Sequence, residues 1–302
     1  MPFFKKLKRD LVYYPSAAFV RLVNIIPRST AIFLGSVLGL TLHALLHRDR
    51  HKMFRHLTLA FGESLPDTDK RRIGRKFFVN SGRNLIEVAR FKKHYEKEIR
   101  PLVTVEGLEH FDRAYKAGKG LIGVTGHIGN FELLAVHVAA MGYRIAVIGR
   151  EMYDPRLNRL LVENREATGL TNIQTTDSPR KMMGWLKEGG AVGVLIDTDS
   201  FRVRSMFVPF FGRLSNTPVG QSAVGLRVGA AFLPMACVRT AGNRYRIIIK
   251  PAIDYEPTGD NDRDIYEITL RCTQALEEII RQYPDQWIWI HNRWHTRPEN
   301  RA

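Results

Sequence analysis

The chain has 302 residues, is 44% hydrophobic and carries a formal net charge of +16 from 46 basic and 30 acidic side chains. That length and apolar content allow a sizeable core in one large domain or two smaller ones. Two cysteines, Cys237 and Cys272, lie far apart in apolar-periodic segments. This excludes a disulfide framework and a cysteine-based zinc site, and points to a reducing compartment.

The charge is uneven. Residues 1–100 hold 21 Lys+Arg and 8 Asp+Glu, a balance of +13, and the remaining 202 residues hold 25 and 22, a balance of +3. The N-terminal third is therefore read as a basic module suited to an anionic partner: phospholipid headgroups, nucleic acid or an acidic carrier protein. Lys5-Lys6-Leu7-Lys8-Arg9 with Tyr13-Tyr14 looks like an interfacial anchor of basic and aromatic groups. Ser29 to Leu46 then runs 18 residues without Asp, Glu, Lys or Arg, but holds His43 and two glycines. Its length sits at the lower limit for a spanning helix, so a span and a buried or interfacial helix both stay open. No short apolar segment ends in an A-x-A-like site, so no cleavable signal peptide is expected.

Arg55 to Arg90 reads as two helices broken at Ser64-Leu65-Pro66-Asp67. From Val103 the texture changes. Apolar runs at 121–124, 145–148 and 191–196 predict strands, with helical patterns between them at about 130–141 and 154–188. Such alternation means an α/β sandwich with a largely parallel sheet. Two further strands, 232–238 and 245–249, are joined by the turn signal Ala241-Gly242-Asn243 and should pair antiparallel. A last helix covers about 261–283, and the domain boundary falls near residue 100, giving a helical module over 1–100 and an α/β domain over 101–302.

Chemistry concentrates in GHIGNFELL, Gly126 to Leu134. His127 follows directly on a predicted strand, and Glu132 begins a predicted helix. Ligands of open α/β sheets collect at the carboxyl ends of strands. Five positions along a continuous helix would leave the two side chains apart in azimuth, at about 100° per residue. Gly126 and Gly129 permit a bend that would let Glu132 accept a hydrogen bond from one imidazole nitrogen, leaving the other to take a proton from a hydroxyl. A histidine near a glutamate also has a plain structural reading. No nucleophilic Ser or Cys is built into the stretch, so a substrate hydroxyl would attack directly.

His43, His47 and His51 would stack on one side of a helix, but no carboxylate or Cys completes a metal set, and headgroup contacts suit them better. His291 and His295 sit among Trp287, Trp289 and Trp294, a setting for a buried wall or an interface belt. Gly220 to Gly225 reads G-x-S-x-x-G, one residue too long for a nucleophile elbow, so Ser222 is taken as a helix residue. No glycine-rich phosphate loop is present, and no nucleic-acid motif or stacking aromatic platform appears.

The H-x-x-x-x-E arrangement resembles the late acyltransferases of lipid A biosynthesis, within the glycerolipid acyltransferase superfamily. The resemblance is carried in order by RHLTLAFGESLPDTDKRRIGRKFFVNSGRNLIE (55–87), GLEHFDRAYKAGKGLIGVTGHIGNFELL (107–134), REMYDPRLNRLLVENREATG (150–169), GAVGVLIDTD (190–199), FVPFFGR (207–213) and QWIWIHNRW (286–294). It implies a glycerolphosphate acyltransferase-like fold, with a mixed, largely parallel sheet flanked by helices and an N-terminal membrane-associating module. It also implies acyl transfer from an acyl carrier protein or coenzyme A thioester, with no further cofactor and no metal, to a hydroxyl of an anionic phospho- or glycolipid. The acceptor implied is a lipid A precursor, the place the cytoplasmic face of the inner membrane, and nucleic acid is not a partner. His127 would be the general base and Glu132 its orienting group. Arg165 matches a family arginine that meets a substrate phosphate, and a surface ion pair is its plain alternative. Arg150 is a weaker candidate of the same kind. Asn130 would assist the oxyanion or cap a helix, and backbone amides or a cation would stabilise the oxyanion. Asp197 and Asp199, at the end of the third strand, would order the site or bind an acceptor hydroxyl. Phe207, Phe210 and Phe211 would line an acyl channel or pack in the core. Within the superfamily another acceptor, a mannosylated phosphoinositide or a lysophospholipid, would leave the motif unchanged. In a different class, a basic membrane-binding module could keep the fold without turnover.

Overall fold

The computed structural model describes residues 2–200 and 203–300; the side chain of Lys5 in the basic anchor lies outside what it describes. Five helices come first: α1 (Pro2–Val23), α2 (Arg28–Leu45), α3 (His47–Phe61), α4 (Asp67–Val88) and the single turn α5 (Phe91–His94). The break between α3 and α4 falls at Gly62–Pro66, where the chain passes through a short 3-10 turn and proline opens the next helix. The rest alternates: β1 (Val103–Glu106), α6 (Leu108–Lys116), β2 (Leu121–Thr125), α7 (Phe131–Ala140), β3 (Ile145–Gly149), α8 (Pro155–Glu166), β4 (Thr171–Gln174), α9 (Ser178–Lys187) and β5 (Ala191–Leu195). A hairpin follows, β6 (Ser205–Phe210) and β7 (Arg213–Pro218), then α10 (Gly220–Val228), β8 (Ala231–Arg239), β9 (Tyr245–Ile249) and α11 (Asn261–Gln282).

Seven strands form one sheet in the order β1-β9-β8-β2-β5-β3-β4. β8, β2, β5, β3 and β4 run parallel, and β9 turns back antiparallel to β8, carrying β1 parallel to itself. The sheet is mixed and largely parallel with helices on both faces, as the strand and helix alternation predicts. Its centre is buried on both sides, which is why β2 and β5 read as continuous apolar runs rather than alternating ones.

One expected element divides. The helical pattern at 154–188 breaks at Gly169, whose φ of +83° ends α8, and Thr171–Gln174 becomes the edge strand β4 before α9 resumes. The Phe207–Arg213 stretch forms the tip of the β6–β7 hairpin, turned by Phe211 and Gly212 at φ +51° and +70°. Phe210 and Phe211 pack in the core against Trp287, Trp289 and Trp294, and α3 and α4 contribute Met53, Leu57 and Phe77 to the same core.

Among the described residues α2 is the one helix long and apolar enough to cross a membrane. It crosses α4 at backbone contact. A Cβ on Gly39 would lie 2.3 Å from the carbonyl of Phe78, and one on Gly82 would lie 2.1 Å from that of Gly35. Only glycine permits that approach. The opposite side of α2 stays uncovered, with Phe33 65% and Val37 43% exposed.

Candidate active site

β2 carries the chain to Gly126 and His127 at the carboxyl end of the sheet. Residues 127–130 form a turn whose amides are all used internally. His127 N–H donates to Asp197, Ile128 N–H to the Gly126 carbonyl, Gly129 N–H to Gln286, and Asn130 N–H to Cys237. Gly129 stands at φ +57°, and a Cβ there would fall 1.9 Å from the Cys237 carbonyl oxygen. Asn130 then caps α7, its side-chain oxygen accepting from Leu133 N–H at 3.0 Å. Asn130 thus performs the capping role through its oxygen, while its Nδ2 is buried without a hydrogen-bond partner. In the first turn of α7 the amides of Phe131 and Glu132 have no acceptor among the described residues.

The histidine's partner differs from the expected one. Nδ1–H of His127 donates to Asp197 Oδ1 at 2.8 Å, while the His127 amide and Trp287 Nε1–H both donate to Asp197 Oδ2, at 2.7 and 2.8 Å. β2 and β5 are neighbours in the sheet, so the residues just past their ends meet. Gly126 makes room, since a Cβ on it would sit 2.7 Å from Asp197 Oδ2. Asp197 is 1% exposed. Burial alone would raise its carboxyl, but the His127 ring and amide and the Trp287 indole overcome this and hold it below the ordinary carboxylate range. Burial likewise would lower His127. The Asp197 hydrogen bond and charge, helped by the charge of Glu132, outweigh it and raise the imidazole above its usual value. An ionised carboxylate only accepts, so Nδ1 carries the proton and Nε2 of the neutral ring bears a lone pair. Nε2 has no hydrogen-bond partner among the described residues, and the side chain keeps 19% of its surface.

Glu132 instead forms a two-pronged ion pair with Arg165, Nε to Oε2 at 2.8 Å and Nη2 to Oε1 at 2.5 Å. The glycine turn leads into a capped helix rather than folding Glu132 back onto the ring, so the expected Glu132–His127 hydrogen bond does not form. Arg165 gives its remaining nitrogen to Asn172 Oδ1 at 2.8 Å. Three of its five N–H donors are thus met within the protein, which makes the ion pair, the plain alternative for Arg165, an observed contact with Glu132. Glu132 and Arg165 border a 60 Å³ apolar slot with Phe131, Gly123 and Gly193. That is far below the roughly 300 Å³ at which ligand pockets begin.

Asp199 is committed to structure. It accepts from Asn216 Nδ2 at 2.8 Å and from the amide and hydroxyl of Thr296 at 2.7 and 2.8 Å, tying the C-terminal tail to the β6–β7 hairpin. An acceptor-hydroxyl role for Asp199 does not fit this bonding. Arg150 follows β3, exposed, on a 350 Å³ cleft that also reaches Arg159 and Arg165. Two residues were not recognised as site members in the sequence. Trp287 is the third donor to Asp197. His291 stacks edge-on against His127 with ring centroids 4.8 Å apart, its own pKa lowered by burial first and by His127 second. The one usable signal was the tryptophan-rich block at 286–294.

This arrangement can remove a proton from a hydroxyl and hold the resulting imidazolium on a buried carboxylate. The profile of the bacterial lipid A biosynthesis acyltransferase family matches residues 1–296. The chain is 28% identical to the lipid A biosynthesis palmitoleoyltransferase of Escherichia coli strain K12, over 90% of this chain and 87% of that one. It is 26% identical to the lauroyltransferase of the same strain, over 92% and 89%. A phosphatidylinositol mannoside acyltransferase of Mycobacterium tuberculosis is 23% identical over 63% of this chain and 59% of its own length. The chain belongs to the bacterial lipid A biosynthesis acyltransferase family: it is an acyltransferase, with an acyl donor and a lipid acceptor.

Proposed function

We propose that this enzyme moves a fatty acyl group from an acyl carrier protein or coenzyme A thioester onto a hydroxyl of a lipid A precursor, at the cytoplasmic face of the inner membrane. The observation that carries the chemistry is the half-buried His127, with Nδ1 locked to Asp197 and Nε2 free. Nε2 takes the proton of the acceptor hydroxyl as the oxygen attacks the thioester carbonyl. Negative charge builds on the carbonyl oxygen, and the unpartnered Phe131 and Glu132 amides at the N-terminus of α7 are the donors available to it. The tetrahedral intermediate collapses, the thiolate leaves, and the imidazolium returns the proton to sulfur. Asp197 holds the ring's tautomer and orientation and stabilises the cation through both transfers. Glu132 acts at one remove, through its charge and by keeping Arg165 in place. Arg150, exposed at the end of β3, is the cation that faces substrate.

The membrane assignment is supported by the uncovered apolar side of α2 and by the basic N-terminal third, and the cytoplasmic face by the origin of thioester donors. The likeness to the mannoside acyltransferase favours a second acceptor, a mannosylated phosphoinositide. Purified protein given labelled acyl carrier protein or coenzyme A thioester, with each lipid in turn, separates these readings. The expected product is the lipid A precursor heavier by one fatty acid less one water. Transfer to the phosphoinositide alone would reassign the acceptor, and transfer to neither would overturn the proposal.

A further inference from the structure

α4 carries Arg72, Arg75, Lys76 and Arg83 at intervals of three, one and seven residues, which places them on one helical face with Val79 and Asn80. That face forms one wall of a 650 Å³ trough, Ser36 and Leu40 of α2 form the other, and Arg239 with Gln286 closes the end. Five cations line it against one carboxylate, Asp285. A second cavity of 820 Å³ between α3 and α4 shares Arg72 and Arg75 and adds Arg50, Lys70 and Arg71, opposed by Asp67. Some of this charge is spent: Arg72 pairs with Asp69 at 3.0 Å, Lys70 with Asp67 at 3.1 Å, and Arg239 with Glu87 at 2.9 Å. Arg75, Lys76 and Arg83 have no ion pair among the described residues, and Arg83 is held by the Ser36 hydroxyl, Nε to Oγ at 2.8 Å. Arg239 is nine-tenths or more buried, and its Nη1 lacks a hydrogen-bond partner.

Like charges gathered this closely repel, and without a counter-anion the cluster costs folding energy. Leu40, on the trough wall, continues on α2 as an exposed apolar stripe with Phe33 and Val37, at i, i+4 and i+7. A concave cationic site joined to an outward apolar stripe matches an amphiphile whose anionic head is compact and multiply charged. We propose that the α2–α4 trough binds the phosphate-bearing headgroup of a membrane lipid, with the lipid's chains lying along Phe33, Val37 and Leu40. The site also touches the catalytic loop, because Gln286 at its end accepts from the Gly129 amide at 2.9 Å, and Asn84 bridges Arg239 to the Gly129 carbonyl at 2.6 and 2.8 Å. An acidic protein would find the cations but have no use for the stripe, so a lipid is favoured.

The proposal stands on this cluster and not on the chemistry of His127, so the test is run on the wild-type chain and on His127→Ala alike. Full-length protein is sedimented with phosphatidylcholine vesicles containing phosphatidic acid or, at matched surface charge, oleic acid. Phosphatidic acid should bind several-fold more tightly than oleate. Arg75→Gln with Lys76→Gln, both exposed on the helix, should lower phosphatidic acid binding roughly ten- to thirtyfold, from about 1 kcal/mol per basic residue at an anionic surface. Lys116→Gln with Lys119→Gln, exposed cations elsewhere, should leave it unchanged. Circular dichroism confirms folding of each pair, and Arg83→Lys, which keeps the charge, should bind like wild type. Equal binding to both vesicles, or equal loss from both variant pairs, overturns the proposal. Calorimetric binding of inorganic phosphate alone, as tight as the vesicles, would assign a free anion and overturn the lipid. So would an acidic carrier protein whose binding falls in the first pair while vesicle binding holds.

Discussion

Asp197→Asn isolates what the buried carboxylate does for the base. Three donors converge on it: His127 Nδ1–H on one oxygen, His127 N–H and Trp287 Nε1–H on the other. Asparagine keeps the shape but offers one oxygen and one NH2. If its oxygen takes the Oδ1 place, the NH2 faces two buried N–H groups and leaves both unpaired, at about 1–3 kcal/mol each, or about 2–6 kcal/mol together. If the oxygen takes the Oδ2 place, all three contacts survive, provided Nδ1 becomes an acceptor and the ring proton moves to Nε2. The second arrangement wins, and Nε2 then has no lone pair to offer. The competent tautomer is depopulated by that 2–6 kcal/mol, so kcat for acyl transfer should fall roughly 30-fold to 10⁴-fold while the protein stays folded. Single-turnover transfer from a labelled thioester measures the rate, and nitrogen chemical shifts of His127 report the tautomer. A kcat within threefold of wild type, or a ring still protonated at Nδ1, would refute the reasoning.

The proposed mechanism requires neutral His127, whose pKa is raised, so log(kcat/KM) should climb with pH through a midpoint above 6.5, and Asp197→Asn should bring that midpoint down. For stability the two signs differ. The raised His127 contributes stability that is full below its unfolded value of about 6.5 and lost as pH rises through the folded value; the depressed Asp197 contributes stability present above about 3.8 and lost as pH falls through its folded value. Urea midpoints of wild type minus His127→Ala should therefore be largest between those limits, and a difference flat across pH would contradict the pair. Gly126→Ala puts a methyl 2.7 Å from Asp197 Oδ2, and the shifted carboxylate should cost about a hundredfold in kcat, checked by the same transfer assay. Glu132→Gln strands the largely buried Arg165 and should cost about 3 kcal/mol in urea unfolding, most of it recovered in Glu132→Gln with Arg165→Gln, whereas additive costs would show the pair uncoupled.

Much of this was readable before any coordinates. The apolar runs of β2 and β5 and the glycine before His127 located the candidate base at a strand end, because burial on both faces of a parallel sheet leaves a continuous apolar signature. Periodicity does not say which strands are neighbours. The Asp197–His127 bond depends on β2 lying beside β5, seventy residues on in the chain, so the nearer carboxylate, Glu132, took its place in the reading. Gly126 carried a clue, since a glycine at a strand end marks something close beside it, here the Asp197 carboxylate. The split of 154–188 was hidden because Thr171–Gln174 is a short edge strand between two helices of similar periodicity. Arg165 read equally as a phosphate contact or an ion pair, because a sequence does not reveal which carboxylate stands beside a guanidinium. The hairpin at Phe207–Arg213 was visible only as a family signature, its turn formed by a Phe at positive φ that no turn rule favours.

In the proposed mechanism Nε2 of His127 is the group that takes the acceptor's proton. The most direct measurement is acyl transfer by purified His127→Ala beside wild type, from a labelled thioester into lipid, with circular dichroism confirming the fold. A fall of about 10³-fold or more is expected, the scale of a lost general base together with the orientation it provides. Turnover close to wild type in the folded variant would contradict it.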